Sequence, residues 1–317
     1  VNALSFALSL GAIAAPVAWL VSAASWVVLP VVRRRAPVAR ADLAAWLALL
    51  PALAALVVVA AVSVPSLRYG LGLGPDHCLG HEHHAHVCFW HGSVLPPWLA
   101  SLGAVGWAAT VGRLAHVVVG LVRTERVGAA LAALADPRDG VHVVPATRAV
   151  CHAVGVVRPR VVVSRAVVDA LSPRELQAVV AHERAHVDRA DARWSAALTL
   201  AACAAPLTSD VWLRVRRQAT EEVADDVAAG LTDGPTVAGA LVAVARLQRV
   251  VVPGLAFGAT DLERRVRRLL GERPTPRRGR AFAGAVGMVA LASITVVAAH
   301  EGMHHEIEEL WELVAGR

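Results

Sequence analysis

The chain has 317 residues, 56% of them hydrophobic, and a mean hydropathy of +0.54. That is too apolar for an ordinary soluble domain and points to membrane insertion. The formal net charge is +6 and all 31 basic residues are arginine; they are spread along the chain with no aromatic-studded basic stripe, which argues for a membrane topology and against direct nucleic-acid binding.

Four segments reach the roughly 20 apolar residues that a bilayer crossing needs, near 5–32, 42–64, 94–122 and 281–299. The first lacks a basic leader and is longer than a signal-peptide core, so it reads as a retained anchor. Pro16 and Pro51 lie inside spans, which membrane helices tolerate. Between the first two spans stand Arg33, Arg34, Arg35 and Arg40 against Asp42, and residues 123–278 carry 23 Arg against 17 Asp and Glu. The loop 65–93 has Arg68 against Asp76 and Glu82, and the tail 300–317 has Arg317 against five glutamates. The positive-inside rule therefore places 33–41 and 123–280 in the cytoplasm. The N-terminus, the loop and the C-terminal tail fall outside the plasma (inner) membrane. The domains expected are 1–122 (three transmembrane helices with the loop 65–93), 123–280 (cytoplasmic) and 281–317 (a fourth transmembrane helix and a short tail).

Within 123–280, residues 123–135 continue the third span as a helix. The β-branched runs 141–145 and 158–164 read as strands, and 164–171 as a short helix. A longer helix is expected over 172–192. Ser172 is its N-cap, Pro173 its first helical residue, and Glu175 completes a capping box. That helix carries His182-Glu183-Arg184-Ala185-His186. Two histidines four apart share one helical face, so both imidazoles can reach one zinc ion. Zinc lowers the pKa of a coordinated water toward about 7, and Glu183 is placed to take its proton as general base. The plainer alternative is two surface histidines salt-bridged to a glutamate. A third ligand decides against it. The acidic helix 218–229 puts Glu221 and Asp225 one turn apart on one face. Glu221 can complete a His₂Glu set, and Asp225 can accept the free ring N–H of a ligand histidine. Alone, Glu221 and Glu222 would read as a solvated helix face.

The apolar stretch 194–209 could be mistaken for a span. One crossing there would put His182 and His186 on one side of a ~30 Å core and Glu221 on the other. A second crossing is blocked by Arg214, Arg216 and Arg217. Residues 194–207 are therefore expected to be a buried or membrane-dipping helix.

The stretch 155–192, the Glu221-Glu222-Val223-Ala224-Asp225-Asp226 run and the segment 257–270 together resemble the membrane-bound regulatory zinc peptidases of the BlaR/MecR type. They are also similar to the prenyl-protein and heat-shock membrane proteases. The resemblance is close over about 120–280. It implies a mainly α membrane protein with four transmembrane helices and a cytoplasmic α+β domain of gluzincin type. It implies His182, His186 and Glu221 as ligands of one catalytic Zn²⁺ and Glu183 as base. It implies hydrolysis of peptide bonds in a cytoplasmic protein, a BlaI-type winged-helix repressor or the enzyme itself, and it admits a homodimer. It also implies a substrate strand pairing with a sheet edge, for which 160–164 is the candidate. Antibiotic-sensing members carry a penicillin-binding domain beyond the last span; only 18 residues follow it here, without Ser-x-x-Lys, so β-lactam sensing is not expected. Gluzincins add a Tyr, His or Arg to stabilise the oxyanion. Tyr69 is expected outside, which leaves His152 or an arginine. His116 and His142 read as structural, and Cys151 and Cys203 as small core residues.

Nine of the 14 histidines fall in the two outer segments. In the loop these are His77, His81, His83, His84, His86 and His91, with Cys78 and Cys88. In the tail they are His300, His304 and His305. Loop and tail could hold an additional extracytoplasmic Zn²⁺ or Cu site that senses metal, or Cys78 and Cys88 could form a disulfide in a polar loop. The tail also has an apolar stripe suited to the membrane surface. Alternatives for the whole chain are a metal transporter or sensor fed by the outer histidines, and a catalytically silent scaffold.

Overall fold

In the computed structural model the described residues are 2–74, 87, 89, 96–138, 140–206, 208–249, 256–271 and 313. The expected fourth span, the tail and nearly all of the His-rich loop lie outside them. So do Cys78, Cys88 and all nine outer histidines.

Among the described residues, three helices are long and apolar enough to cross a membrane: Ala3–Arg33, Pro37–Gly70 and Pro97–Ala133. The first comprises α1 (Asn2–Ser25), a 3₁₀ turn (Trp26–Val28) and α2 (Leu29–Arg33). The others are α3 (Pro37–Gly70) and α4 (Pro97–Ala133), each opened by a proline whose missing N–H would find no partner in the first turn anyway. Leu20, Leu56, Val105 and Val111 stand more than half exposed on the outside of these helices, as contact with lipid requires. Small residues bring α1 and α4 together. A Cβ at Gly103 would collide with the Leu8 carbonyl, and one at Gly106 would sit 2.8 Å from the Ala15 Cβ. Trp107 Nε1 donates to the Ala7 carbonyl at 2.7 Å across the same contact.

After α4 comes a four-stranded sheet: β1 (Asp136–Arg138), β2 (Val141–Val144), β3 (Cys151–Val154) and β4 (Arg160–Ser164), in the order β1-β2-β4-β3. β2 and β4 are parallel; the outer pairs are antiparallel. The two expected strands are present, and β1 and β3 are additions of three and four residues. The expected edge is corrected. Residues 160–164 form a central strand, with Val161, Val162 and Val163 all buried. An unbroken valine run suits a strand covered on both faces, whereas an edge strand alternates. The edge is β3.

Five helices complete the domain alongside the short α5 (Arg165–Ala170): α6 (Pro173–Asp188), α7 (Asp191–Ala201), α8 (Asp210–Leu231), α9 (Gly234–Arg249) and α10 (Ala256–Leu269). The capping box of α6 forms. Ser172 Oγ accepts from Glu175 N, and Glu175 Oε2 accepts from Ser172 N at 2.9 Å. The sheet packs on α6 and α9 through Cys151, Val161, Val163, Val179 and Ala240. A second core ties this domain to the membrane helices: Trp212 and Val215 of α8 and Leu198 of α7 bury Ala44 and Ala48 of α3. Trp212 Nε1 donates to Ser25 Oγ at 2.6 Å, and Arg113 of α4 pairs with Asp210 at 2.8 Å. At 11 residues α7 is only about 16 Å long, too short for a crossing.

The expected single helix 172–192 is broken. α6 stops at Asp188, Ala190 is left-handed at φ 54°, and α7 starts afresh at Asp191. This reversal matters to the site.

Candidate active site

α6 packs on α8 beside the β3 edge, and these three, with α7, α9 and α10, enclose a cleft of about 910 Å³. His182 and His186 project from α6 one turn apart, as their spacing requires. Their Nε2 atoms lie 3.2 Å from each other. Glu221 enters from α8, with Oε2 3.5 Å from His182 Nε2 and Oε1 3.8 Å from His186 Nε2. One donor atom from each of the three falls within 4.8 Å of the others. Bonds of about 2.0–2.1 Å to a tetrahedral metal place neighbouring donors roughly 3.3 Å apart. The spacing found is close to that, and two imidazoles with a carboxylate are a fitting donor set for zinc.

Each imidazole has a carboxylate behind it. Asp225 Oδ1 lies 3.0 Å from His182 Nδ1, too bent for a straight hydrogen bond but close enough to set the ring's charge. Asp191 Oδ2 lies 2.9 Å from His186 Nδ1. Residues five apart on one helix point about 140° away from each other. Only the reversal at Ala190 returns Asp191 to His186. Behind the carboxylates stand arginines. Arg265 of α10 binds Asp225 through two nitrogens, at 2.7 and 2.8 Å, and Arg216 lies 3.4 Å from Asp191.

This packing shifts protons. Burial alone would depress the His182 imidazole, but Asp225 and Glu221 override it and lift it to about 9. Burial likewise opposes ionisation of Glu221 and Asp225. His182 and Arg265 win, bringing both carboxyls down to about 2. Cys151, at the cleft wall, is pushed far up by burial and by the Glu183 charge, so its thiol stays protonated.

Glu183 is buried on α6 and lines the same cleft. Its Oε2 accepts the Ala153 backbone N–H at 2.7 Å. That amide points away from β4, so the free edge of β3 faces the cleft. His152, the histidine candidate for the oxyanion, stands exposed on β3 at the cleft, and His142 lies on β2. His116 is exposed on α4. Cys151 and Cys203 are buried free thiols.

Glu222 departs from the solvated-face expectation. It is 4% exposed, and Arg40, Arg264 and Arg268 surround it. Among the four acids at 221–226 of α8, Glu221 and Asp225 thus face the site, while Glu222 and Asp226 turn to arginines beside it. Sequence reasoning missed Arg265, Asp191 and β3. Arg265 had a readable signal: the Arg264, Arg265, Arg268 spacing on one helix complements Glu221, Glu222, Asp225 and Asp226 on another. Asp191 had none, because it depends on the backbone reversal.

Residues 149–228 match the family model described as BlaR1 peptidase M56. No curated protein and no solved structure matches the chain significantly. The matched segment runs from the strand before the cleft to the end of the acidic stretch on α8, and so contains His182, Glu183, His186, Glu221 and Asp225. Over this segment, about a quarter of its length, the chain is similar to the BlaR1-type M56 peptidases, and three of its helices are long and apolar enough to cross a membrane.

Proposed function

We propose that the chain is a multipass zinc metalloendopeptidase of gluzincin type with its catalytic domain on the cytoplasmic side. The observation that carries this reading is the meeting of His182 Nε2, His186 Nε2 and a Glu221 oxygen at one point in a cleft that also holds Glu183. Zinc held by these three would supply Lewis-acid polarisation and an acidified water. Asp225 and Asp191 keep the two rings turned so that both Nε2 atoms face that point. The Ala153 N–H pins Oε2 of Glu183, and among the described residues nothing else bonds that side chain. Glu183 Oε1 is then the oxygen that accepts a proton and returns it to the leaving amine. A peptide in extended form would lie along β3, an edge strand, pairing with the backbone of Cys151 and with the Ala153 carbonyl, since the Ala153 N–H is held by Glu183.

The substrate would be a cytoplasmic protein in a regulatory pathway, a BlaI-type repressor or a second site on this chain. The arginines at the inner ends of the spans support that orientation. The direct test is Glu183→Ala in the purified full chain. We expect cleavage to fall by about 10²–10⁴-fold, a typical loss for a general base, while bound zinc stays stoichiometric. Equal cleavage by wild type and variant would reject the assignment.

A further inference from the structure

Neither the family match nor any motif gives a task to Arg265, which lies beyond residue 228. Its side chain is 12% exposed, as deeply buried as those of the two histidines. Three of its nitrogens are committed to two α8 carboxylates one turn apart. Nε meets Asp225 Oδ2 at 2.8 Å, Nη2 meets Asp225 Oδ1 at 2.7 Å, and Nη1 meets Glu221 Oε2 at 2.9 Å. One of those carboxylates is a metal-donor candidate and the other backs His182. A single rigid guanidinium therefore ties the third ligand to the partner of the first.

We infer that Arg265 is the positioning residue of the metal centre, fixing Glu221 as a one-oxygen ligand and Asp225 as the orienting partner of His182. This rests on the zinc reading above. The physical case has two parts. Two carboxylates one helical turn apart, Asp225 buried and Glu221 half-buried, repel each other, and a fixed cation between them offsets the cost of holding both ionised. The planar fork also sets direction. With Oε2 occupied by Nη1, Glu221 presents Oε1 alone, and Asp225, gripped on both oxygens, cannot rotate away from His182 Nδ1. Lysine would keep the charge but lose the two-pronged grip. The neighbouring arginines do other work. Arg264 and Arg268 pair with Glu222, and Arg267 makes an exposed pair with Glu263.

The experiment uses the full chain in detergent, with Arg265→Gln, Arg265→Lys and Arg267→Gln beside wild type. Zinc affinity is read by competition with a chromophoric chelator, and ligand geometry by the visible spectrum of the Co²⁺-substituted protein. For Arg265→Gln we expect affinity to fall about 10–100-fold, the usual consequence of removing an outer partner of a metal ligand. Its Co²⁺ absorption should also weaken as Glu221 turns to two-oxygen binding. Arg265→Lys should recover part of the affinity but not the spectrum, and Arg267→Gln should match wild type in both. If the Gln variant does not fold, the Lys variant carries the test. Wild-type affinity together with a wild-type Co²⁺ spectrum, in whichever variant folds, overturns the role of Arg265. Absence of zinc binding by the wild type would overturn the metallopeptidase reading itself, a separate outcome.

Discussion

At the scale of single residues, the site is governed by protons as much as by distances. His182 is raised to about 9, so below that pH the metal-free ring carries a proton that zinc must displace. Glu221, near 2, is already ionised and adds no such requirement. Apparent zinc affinity should therefore rise tenfold per pH unit at most between pH 6 and about 9 and level off above; affinity that is flat from pH 6 to 8 would contradict this. Stability of the metal-free protein follows the same groups. The raised His182 contributes fully below its ordinary value of 6.5 and fades as pH climbs through about 9. Glu221 and Asp225 contribute above their ordinary values of 4.5 and 3.8 and fade as pH falls toward about 2. Metal-free melting curves should show a plateau between these two windows. The His-Glu-x-x-His motif was legible because four residues on a helix always bring two side chains to one face. Asp191 was not, because its place depends on one left-handed alanine.

At the scale of elements, that alanine and one tryptophan are the sensitive points. Ala190 at φ 54° tolerates little beyond its single methyl. Ala190→Val should destabilise by about 1–3 kcal/mol, as a β-branched residue in that region is strained. It should also weaken zinc binding, since Asp191 would lose its approach to His186. Unchanged melting and affinity would show the reversal to be unimportant. Trp212, fully buried between α8 and α3, should cost about 3–5 kcal/mol when cut to alanine. A thermal or denaturant melt in detergent reads that loss directly. The start of α6 was legible from Ser172, Pro173 and Glu175 because a cap is a local hydrogen-bond problem. The strand at 151–154 was not. Four residues carry too little alternation to be told from a loop, and the strand exists because β4 offers it a partner.

At the scale of the whole molecule, α8 joins membrane and chemistry. Its start is seated against α1, α3 and α4 through Trp212, Ser209 and Asp210, and its fourth turn delivers Glu221. Arg40, in the first turn of α3, reaches Glu222, the neighbour of Glu221. The proposed orientation puts these arginines in the cytoplasm. Reporter fusions after Arg35 and after Ala135 should therefore score as cytoplasmic, and a fusion in the loop after Gly74 as external. The reverse pattern would overturn the topology. The sequence by itself determined three of the four expected spans, the start of the helix that carries His182 and His186, and the acidic helix, because hydropathy, capping and 3.6-residue periodicity act over short stretches of chain. Only the tertiary structure decided which strand is the edge, which acid faces the site and which arginine stands behind it. Those choices depend on residues far apart in sequence, Ala153 with Glu183 or Arg40 with Glu222, whose meeting is set by packing and by the need to pair every buried charge.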